Sequence, residues 1–249
     1  MRLHYAIVLN PTADKGAAAK RITEIKKLME RDKMDFRIHQ TERPGHAIEL
    51  RKTLSRNADT AIIAAGGDGT CNEIINGLLA SHRKRDKPLI GVLPIGRNND
   101  FACGVGLPEG LEASMDTLLA NQITPLDVGW ISGGDYPKGR WFGNGLGVCF
   151  NAATIANIHN ATAYPLAAIK TLVKHPVASL VELSVDGKAS NISPALISAM
   201  NGKRLGDSYH IAPHGQGATG AIQKESTAIS LLTQSRRGMF NLSKRLQTI

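Results

Sequence analysis

Two kinds of segment alternate along the first half of the chain, and they differ in where the apolar residues fall. Short strand-like runs cover residues 3–9, 36–41, 60–65 and 88–94. The run "TAIIAA" at 60–65 is almost entirely apolar, as expected for a parallel strand that is covered on both faces. Helix-like stretches follow the first three runs, with apolar residues recurring on one face; they include Ile22, Ile25, Leu28 and Met29, then residues 46–56 and 70–81. This alternation predicts an open α/β layer structure, in which ligands bind beyond the carboxyl ends of the strands.

The pattern changes near residue 123, where strand-like runs predominate. They are "LDVGWI", "RWFGNGLGVCF", "SLVELSVDG" and "PALISAM", and one helix is predicted at residues 164–175. We therefore expect two domains, an α/β domain at residues 1–122 and a β-rich, sandwich-like domain at residues 123–249. From about residue 215 the chain is rich in Gly, Ser, Thr and Gln, and this composition predicts an irregular tail.

Composition narrows the class of protein. The 249 residues are 42% hydrophobic, and no apolar run approaches the roughly 20 residues of a membrane-spanning helix. The N-terminus lacks the cleavage site of a secretory signal, so we expect a cytoplasmic protein. A net charge of +9 favours anionic partners, but the few aromatic residues are not interleaved with basic ones. We expect no nucleic-acid partner and no transmembrane segment.

Four loops follow the predicted strands and should meet at one edge of the sheet. They are "NPTADKG" (10–16), "TERPGHA" (41–47), "GGDGT" (66–70) and "PIGRNNDFA" (94–102). In the third, glycines let backbone N–H groups approach phosphate oxygens, and the helix that follows adds partial positive charge at its N-terminus. Thr70 can cap that helix or donate its hydroxyl to a phosphate. The loops together predict a phosphate site.

Asp68 places a carboxylate inside this phosphate loop. A bare carboxylate beside a triphosphate is repelled unless a cation or a proton intervenes, and Mg²⁺ is the natural mediator because it binds carboxylates and phosphates together. The plain alternative is a turn, in which Asp and Gly are common residues.

In their order and spacing, the four loops resemble the diacylglycerol kinase catalytic-domain family, which includes sphingosine kinases and bacterial lipid kinases. Downstream, "LDVG", "FGNGLGVCFNA", "VDG" and "NGKRLGDSYHIAP" continue the likeness, which covers about residues 3–214. The resemblance implies a Rossmann-like α/β nucleotide-binding domain followed by an incomplete β-sandwich, with ATP in the cleft between them. It also implies transfer of the γ-phosphoryl group of ATP to a lipid hydroxyl.

The resemblance assigns roles to residues in the matching loops. Asp68 would be the catalytic residue, through charge neutralisation or activation of the hydroxyl, and Glu73 points to the same region or is an ordinary first-turn helix acid. The metal-binding residues stay unassigned. The residues expected to bind ATP are Asn10, Pro11, Thr12, Ala13, Asp14, Thr41, Gly66, Gly67, Asp68, Gly69, Thr70, Cys71, Asn72 and Arg97.

The chain departs from the family pattern at several points. Arg97 stands where the family loop usually has Thr; its guanidinium can bind phosphates bidentately or fill part of the nucleotide site. Thr219 stands before Gly220 where the family typically has an Asp that contributes to a metal site. No counterpart is apparent for the family's last strands and their glutamate base, which is typical of a diverged tail or an altered reading frame.

We expect an ATP- and Mg²⁺-dependent lipid kinase, with weakened activity or none as a consequence of these departures. Its lipid would be diacylglycerol-like and presented at a membrane surface, with the protein held peripherally on the inner face, and a homodimer is considered. Two alternatives stay open: a nucleotide-binding remnant without catalysis, and an NAD kinase, in which GGDGT also occurs.

Overall fold

A computed structural model describes most of the chain, in stretches separated by gaps. The described residues are 4–54, 60–80, 89–121, 123–134, 136–149, 180–185, 188–192, 196–204, 229–233 and 236–248. The helix predicted at residues 164–175 and the departure at Thr219 lie outside these stretches.

Strands alternate with helices through the first half of the chain, and the α/β prediction is confirmed. The elements are β1 (His4–Leu9), a short 3₁₀ helix (Asp14–Gly16), α1 (Ala17–Lys20), α2 (Ile22–Arg31), β2 (Asp35–Gln40), α3 (His46–Leu54), β3 (Thr60–Gly66), α4 (Asp68–Ala80), β4 (Leu89–Pro94), α5 (Asp100–Gly104) and α6 (Leu111–Leu119). The four strands pair in parallel in the order β2-β1-β3-β4.

The central strands are apolar throughout because both of their faces are covered. In β1, Ala6 and Val8 belong to one core cluster, whereas Ile7 and Leu9 belong to the other. Successive residues of a strand point to opposite faces, so an uninterrupted apolar run supplies both cores. The helix residues that complete the clusters are Ile74, Ile75 and Leu78 of α4 on the first face, and Ile25 and Met29 of α2 with Met115 and Leu118 of α6 on the second. The two covered faces fix the sheet and the loops at its carboxyl edge.

The second half of the chain is β-rich, as predicted. Its strands are β5 (Thr124–Gly133), β6 (Tyr136–Phe142), β7 (Gly145–Cys149), β8 (Val181–Val185), β9 (Lys188–Ile192), β10 (Leu196–Met200), β11 (Ile229–Thr233) and β12 (Arg236–Thr248). Their neighbours within this half are antiparallel: β5 pairs with β6 and β12, and β11 pairs with β12 and β8. Strand β8 also pairs with β9, and β7 and β10 form a separate two-stranded sheet.

The tail differs from the expectation. We expected irregular structure from about residue 215 and no further C-terminal strands, yet residues 229–233 and 236–248 form β11 and β12. The partners of β12 lie far earlier in the chain, in β5, and the register shifts between Leu242 and Lys244. Local composition therefore gives little sign of this strand. Neither β11 nor β12 contains an acidic residue, so neither supplies the glutamate that the family resemblance leads us to look for.

One sheet runs across the domain boundary predicted at residues 122–123. Strand β12 pairs in parallel with β4 at Leu89 and Ile90, and antiparallel with β5 over Thr124–Ser132. The boundary itself stays a prediction. In the described stretches, no helix has the length and apolar character needed to cross a bilayer.

Candidate functional site

The four loops that follow the parallel strands begin at the same edge of the sheet. Backbone pairing continues one residue past the strands: Asn10 N–H donates to Ala65 O at 3.0 Å, Thr41 N–H to Leu9 O at 2.8 Å, and Ile95 N–H to Gly66 O at 3.2 Å. These bonds align the loop starts as the parallel arrangement predicts.

A cleft of about 360 Å³ opens between these loops, within the size range of small-molecule sites. Nine of the residues expected to bind ATP line it: Asn10, Thr12, Ala13, Asp14, Thr41, Gly67, Gly69, Thr70 and Arg97. The structure thus brings residues from all four loops together around one space.

The remaining predicted residues do not line the cleft. Pro11 and Asp68 are not among its lining residues, and Gly66 ends β3, where an added Cβ would overlap the side chain of Thr70. Cys71 is buried, and burial raises the pKa of its thiol, so the site contains no reactive thiolate at this position.

Asn72 is committed to the antiparallel half of the protein. Its Nδ2 donates to the carbonyl oxygen of Trp141 at 2.8 Å, and its Oδ1 accepts from Arg140 Nε at 2.8 Å. The residue ties α4 to β6. Its place two residues after the GGDGT motif gave no sign of this, because the contact is made with residues nearly seventy positions later, at 140 and 141.

The Asp68 carboxylate faces the start of α5. Its Oδ1 accepts the backbone N–H of Phe101 at 2.7 Å. Burial raises the pKa of the Asp68 carboxyl; the Phe101 N–H opposes this shift, and the nearby Asp100 carboxylate adds to it. The ionised form is therefore less favourable here than in water.

The loops after β3 and β4 touch through their backbones. A Cβ on Gly96 would lie 2.7 Å from the backbone nitrogen of Gly67, so neither position has room for a larger residue without movement. Asn99, in a left-handed conformation with φ of 51°, accepts from Gly96 N–H at 3.0 Å and donates to Gly96 O at 2.9 Å. The two glycines and Asn99 fix the shape of this side of the cleft.

The loop after β1 is shaped by its first residue. Asn10 Oδ1 accepts from both the backbone nitrogen and the hydroxyl of Thr12, at 3.1 and 2.8 Å. Asp14, Lys15 and Gly16 then follow with positive φ values of 48°, 54° and 90°. This turn directs Asp14 into the cleft lining.

Arg97 and Asp14 face each other across the cleft. Arg97 Nε lies 3.6 Å from Asp14 Oδ1, and the two side chains are 37% and 43% exposed. The departure from the family loop thus changes the charge at the site without burying the guanidinium.

Further lining residues were not assigned from the sequence. They are Glu42, Arg43, Pro44, Ala47, Glu73 and Gly96. The carboxylate of Glu73, for which two interpretations were open, accepts the backbone N–H groups of Gly45 at 2.8 Å and Ala47 at 3.2 Å. It therefore caps α3 from the neighbouring helix. The available signal is the start of α3 after "RPG", which lacks a capping side chain of its own.

Arg204, from the second half of the chain, holds the loop after β4 through side-chain hydrogen bonds. Arg204 donates from Nε to Asp100 Oδ1 at 3.2 Å and from a terminal nitrogen to Asn98 O at 3.1 Å. Asn144 Nδ2 donates to the Arg204 carbonyl at 3.0 Å. The Arg204 and Asp100 side chains are only 13% and 5% exposed. The motif "NGKR" gives no sign of a role for Arg204, since its partner Asp100 lies 104 positions earlier in the chain.

No cluster of three or more His, Cys, Asp or Glu side chains suited to a metal occurs in the stretches the structure describes.

Known proteins with similar sequences share the N-terminal part of this chain. Residues 4–131 match the family model described as "Diacylglycerol kinase catalytic domain". A Bacillus subtilis (strain 168) protein named diacylglycerol kinase is 34% identical over 128 residues, which is 51% of this chain and 41% of that protein. A Staphylococcus carnosus (strain TM300) protein of the same name is 35% identical over 130 residues, 52% of this chain and 41% of that protein. The matched segment thus spans about two fifths of these relatives.

The solved structures extend the likeness of fold to the whole chain. A crystal structure of a diacylglycerol kinase from Bacillus anthracis str. Sterne superposes with a TM-score of 0.68 at 18% identity, covering 100% of this chain and 96% of that one. A second structure from the same organism reaches a TM-score of 0.75, also at 18% identity and with 97% of that chain covered. At such low identity, these two structures show a shared fold.

Proposed function

This chain belongs to the diacylglycerol kinase catalytic-domain family, and from that premise we propose that it is a lipid kinase, which transfers the γ-phosphoryl group of ATP to the hydroxyl of a diacylglycerol-like lipid. The observation that carries the proposal is the cleft itself. The GGDGT loop leads into the N-terminus of α4, a helix of 13 residues. Residues of this loop line the cleft together with residues of the loops after β1, β2 and β4.

The phosphates of ATP would bind at the start of α4. Gly67 and Gly69 line the cleft without a Cβ, so backbone N–H groups can approach phosphate oxygens, and the helix N-terminus favours negative charge there. Thr70 lines the cleft beside them and can donate its hydroxyl. Asn10, Thr12 and Thr41 offer polar groups to the rest of the nucleotide from the adjoining loops.

Asp68 fits a role in holding Mg²⁺. Mg²⁺ is commonly bound by one or two carboxylates together with phosphate oxygens and waters, and it would supply charge neutralisation for the transferring phosphoryl group. The carboxylate of Asp68 is partly buried, and its bare charge is disfavoured there, so a cation would offset that cost. Because Oδ1 faces Phe101 and the residue does not line the cleft, we favour neutralisation over direct activation of the lipid hydroxyl.

In the reaction, the oxygen of the lipid hydroxyl would attack the γ-phosphorus and release its proton to water, while the bond to the β–γ bridging oxygen breaks and ADP leaves. The chain's own residues would bind and orient ATP, which is the larger part of catalysis in phosphoryl transfer. A net charge of +9 would favour peripheral binding to an anionic membrane, where a lipid substrate is presented.

The proposal is tested by ATP-dependent phosphate transfer to diacylglycerol, sphingosine and phosphatidylglycerol in mixed micelles, with NAD as a further acceptor. We expect transfer to a lipid and not to NAD, and we expect Asp68→Asn to reduce the rate at least 100-fold, as for other groups that stabilise transition-state charge. Asp116→Asn, an exposed acid of α6, is the matched control and should leave the rate unchanged.

Each other outcome has a definite meaning. Binding of ATP with no transfer to any acceptor would overturn the kinase proposal in favour of a non-catalytic nucleotide-binding protein. Transfer to NAD alone would point to an NAD kinase. Undiminished transfer by Asp68→Asn would remove Asp68 from the mechanism.

A further inference from the structure

Arg97 and Asp14 form an ion pair among the residues that line the cleft. In the sheet order β1-β3-β4, the strand before the phosphate loop lies between the strands whose loops carry Asp14 and Arg97. The 3.6 Å contact between Arg97 Nε and Asp14 Oδ1 therefore joins the two flanking loops, and both residues share the cleft lining with Gly67, Gly69 and Thr70, where a phosphate would bind. A polyphosphate entering the cleft would meet this pair.

Arg97 can readily leave Asp14 for another anion. The Nε–Oδ1 distance exceeds the 2.7–2.9 Å typical of charge-assisted hydrogen bonds, and exposed ion pairs of this kind contribute little to stability. A phosphate offers the same guanidinium two parallel, stronger hydrogen bonds. The phosphate is thus the better partner for Arg97 when it is present.

The backbone that carries Arg97 is held while its side chain is exposed. Gly96 packs against Gly67, and the side chain of Asn99 forms two hydrogen bonds to Gly96. Exchange of partners then requires only side-chain rotation, without movement of the loop.

The charge balance of the cleft favours Arg97 for this role. Two arginines line it in the described part of the chain, and Arg43 is paired with Glu49, which is not a lining residue, at 2.6 Å. The lining carboxylates are Asp14, Glu42 and Glu73. Without a guanidinium turned towards the ligand, only the N-terminus of α4 and a bound cation would offset the repulsion between these carboxylates and an incoming polyphosphate.

We propose that Arg97 is a specificity-determining residue that binds the polyphosphate of the nucleotide, and that Asp14 holds its guanidinium only while the cleft is empty. The proposal rests on the proposed nucleotide site and goes beyond it by assigning phosphate selectivity to a residue in which this chain departs from its family's usual loop. Arg97 makes the cleft favour nucleotides with more phosphates.

The first experiment measures dissociation constants by calorimetry for ATP, AMP, adenosine and tripolyphosphate, all with Mg²⁺. Removing one charge-assisted bidentate contact in Arg97→Gln should weaken ATP and tripolyphosphate about 10- to 100-fold, with a smaller effect on AMP and none on adenosine. Arg97→Lys keeps the positive charge but cannot form two parallel hydrogen bonds, so its affinity for ATP should lie between those of the wild type and Arg97→Gln. Arg21→Gln is the matched control, an exposed arginine of another ion pair, and should change nothing.

The second experiment follows the Nε–Hε signal of Arg97 by ¹⁵N NMR, identified by its loss in Arg97→Gln. Asp14→Asn should shift this signal in the ligand-free protein, and saturating tripolyphosphate should shift it in the wild type. A signal that does not move with tripolyphosphate would overturn the exchange of partners. Thermal melts of the variants show whether each is folded, and Arg97 is exposed enough for the substitutions to be tolerated.

The failure of this inference can be told from the failure of the proposed function. If the wild type binds ATP and Arg97→Gln binds it equally well, Arg97 has no role in selectivity while the nucleotide site stands. If the wild type binds neither ATP nor tripolyphosphate, both proposals are overturned.

Discussion

At the scale of the single residue, the carboxylate of Asp68 lowers the stability of the folded protein. The Asp68 carboxyl is partly buried next to Asp100, and burial raises its pKa, so the carboxyl holds its proton more tightly in the folded protein than in the unfolded chain. A group whose pKa is raised on folding destabilises the folded state once pH exceeds the pKa of the unfolded chain, about 4 for Asp. The feature that suits Asp68 to a cation therefore lowers the stability of the cation-free protein.

We predict that Asp68→Asn raises the melting temperature at pH 7 in EDTA. Asn keeps an oxygen that can accept the Phe101 N–H and removes the disfavoured charge, and about 1 kcal/mol corresponds to 2–4 °C in a chain of this size. The difference should shrink as pH falls towards 4, because the wild-type carboxyl is then protonated. Calorimetric melts of the two proteins at pH 4, 5.5 and 7 test this, and a variant that melts lower at pH 7 would contradict it.

Gly67, Gly69 and Thr70 line the cleft as the sequence led us to expect, although their binding of ATP stays a prediction, whereas side-chain contacts between distant residues were not predicted. Gly67, Gly69 and Thr70 were assigned because a Gly-rich turn between a strand and a helix has few geometries. Asn72 follows the same motif by two residues, yet its side chain is directed to Trp141 by the packing of β6 on α4. Motif membership fixes the backbone more firmly than it fixes side-chain partners.

At the level of elements, α3 and α4 depend on each other at the edge of the cleft. Glu73 in the second turn of α4 accepts the first free N–H groups of α3, and the loop "RPG" between β2 and α3 is thereby held against the site. The N-terminus of α3 is therefore capped only when α3 packs against α4.

Glu73→Ala should lower the free energy of unfolding by about 1–2 kcal/mol, because the N–H groups of Gly45 and Ala47 lose their acceptor. Amide hydrogen exchange at those two positions should become faster than at Ile63 in β3. Glu42→Ala, a neighbouring carboxylate without such a cap, is the control and should leave both amides protected. Unchanged exchange in Glu73→Ala would mean that α3 is capped in another way.

The four parallel strands and helices α2, α3 and α4 were predictable because a short apolar run, or apolar residues repeating every 3.6 positions, is a local feature of the sequence. No bounds were predicted for helices α1, α5 and α6. Strand β12 has no comparable local signature. Its position follows from pairing with β5 and β4, and pairing between distant segments leaves little trace in composition.

At the scale of the whole molecule, Arg204 links the two halves of the chain. Its ion pair with Asp100 is almost fully buried, and the segment that carries it is anchored by Asn201, which donates to the carbonyls of Asp127 and Gly143 at 2.6 and 2.8 Å. The loop after β4, and with it the contact between Phe101 and Asp68, is therefore supported from the second half.

Arg204→Met should destabilise the protein by about 3–5 kcal/mol, since removing one partner leaves the buried Asp100 carboxylate without its guanidinium. The double variant Arg204→Met with Asp100→Asn should recover much of that loss, because the buried negative charge is then removed as well. Urea unfolding of the single and double variants tests the pair, and Arg21→Met, which breaks an exposed pair, should have a smaller effect. A double variant no more stable than Arg204→Met would show that the ion pair is not the source of the loss.

The position of β12 also has a consequence in time. Strand β12 lies between β4 and β5 in the sheet, but it is synthesised more than a hundred residues after both. The edges of β4 and β5 that pair with β12 therefore stay without this partner until residues 236–248 emerge from the ribosome. Pairings of such long sequence separation form slowly, and open edges invite pairing with other chains in the meantime. The nascent protein is thus a candidate client for chaperones that shield strand edges, and slowing synthesis before β12 would lengthen the interval in which it can aggregate.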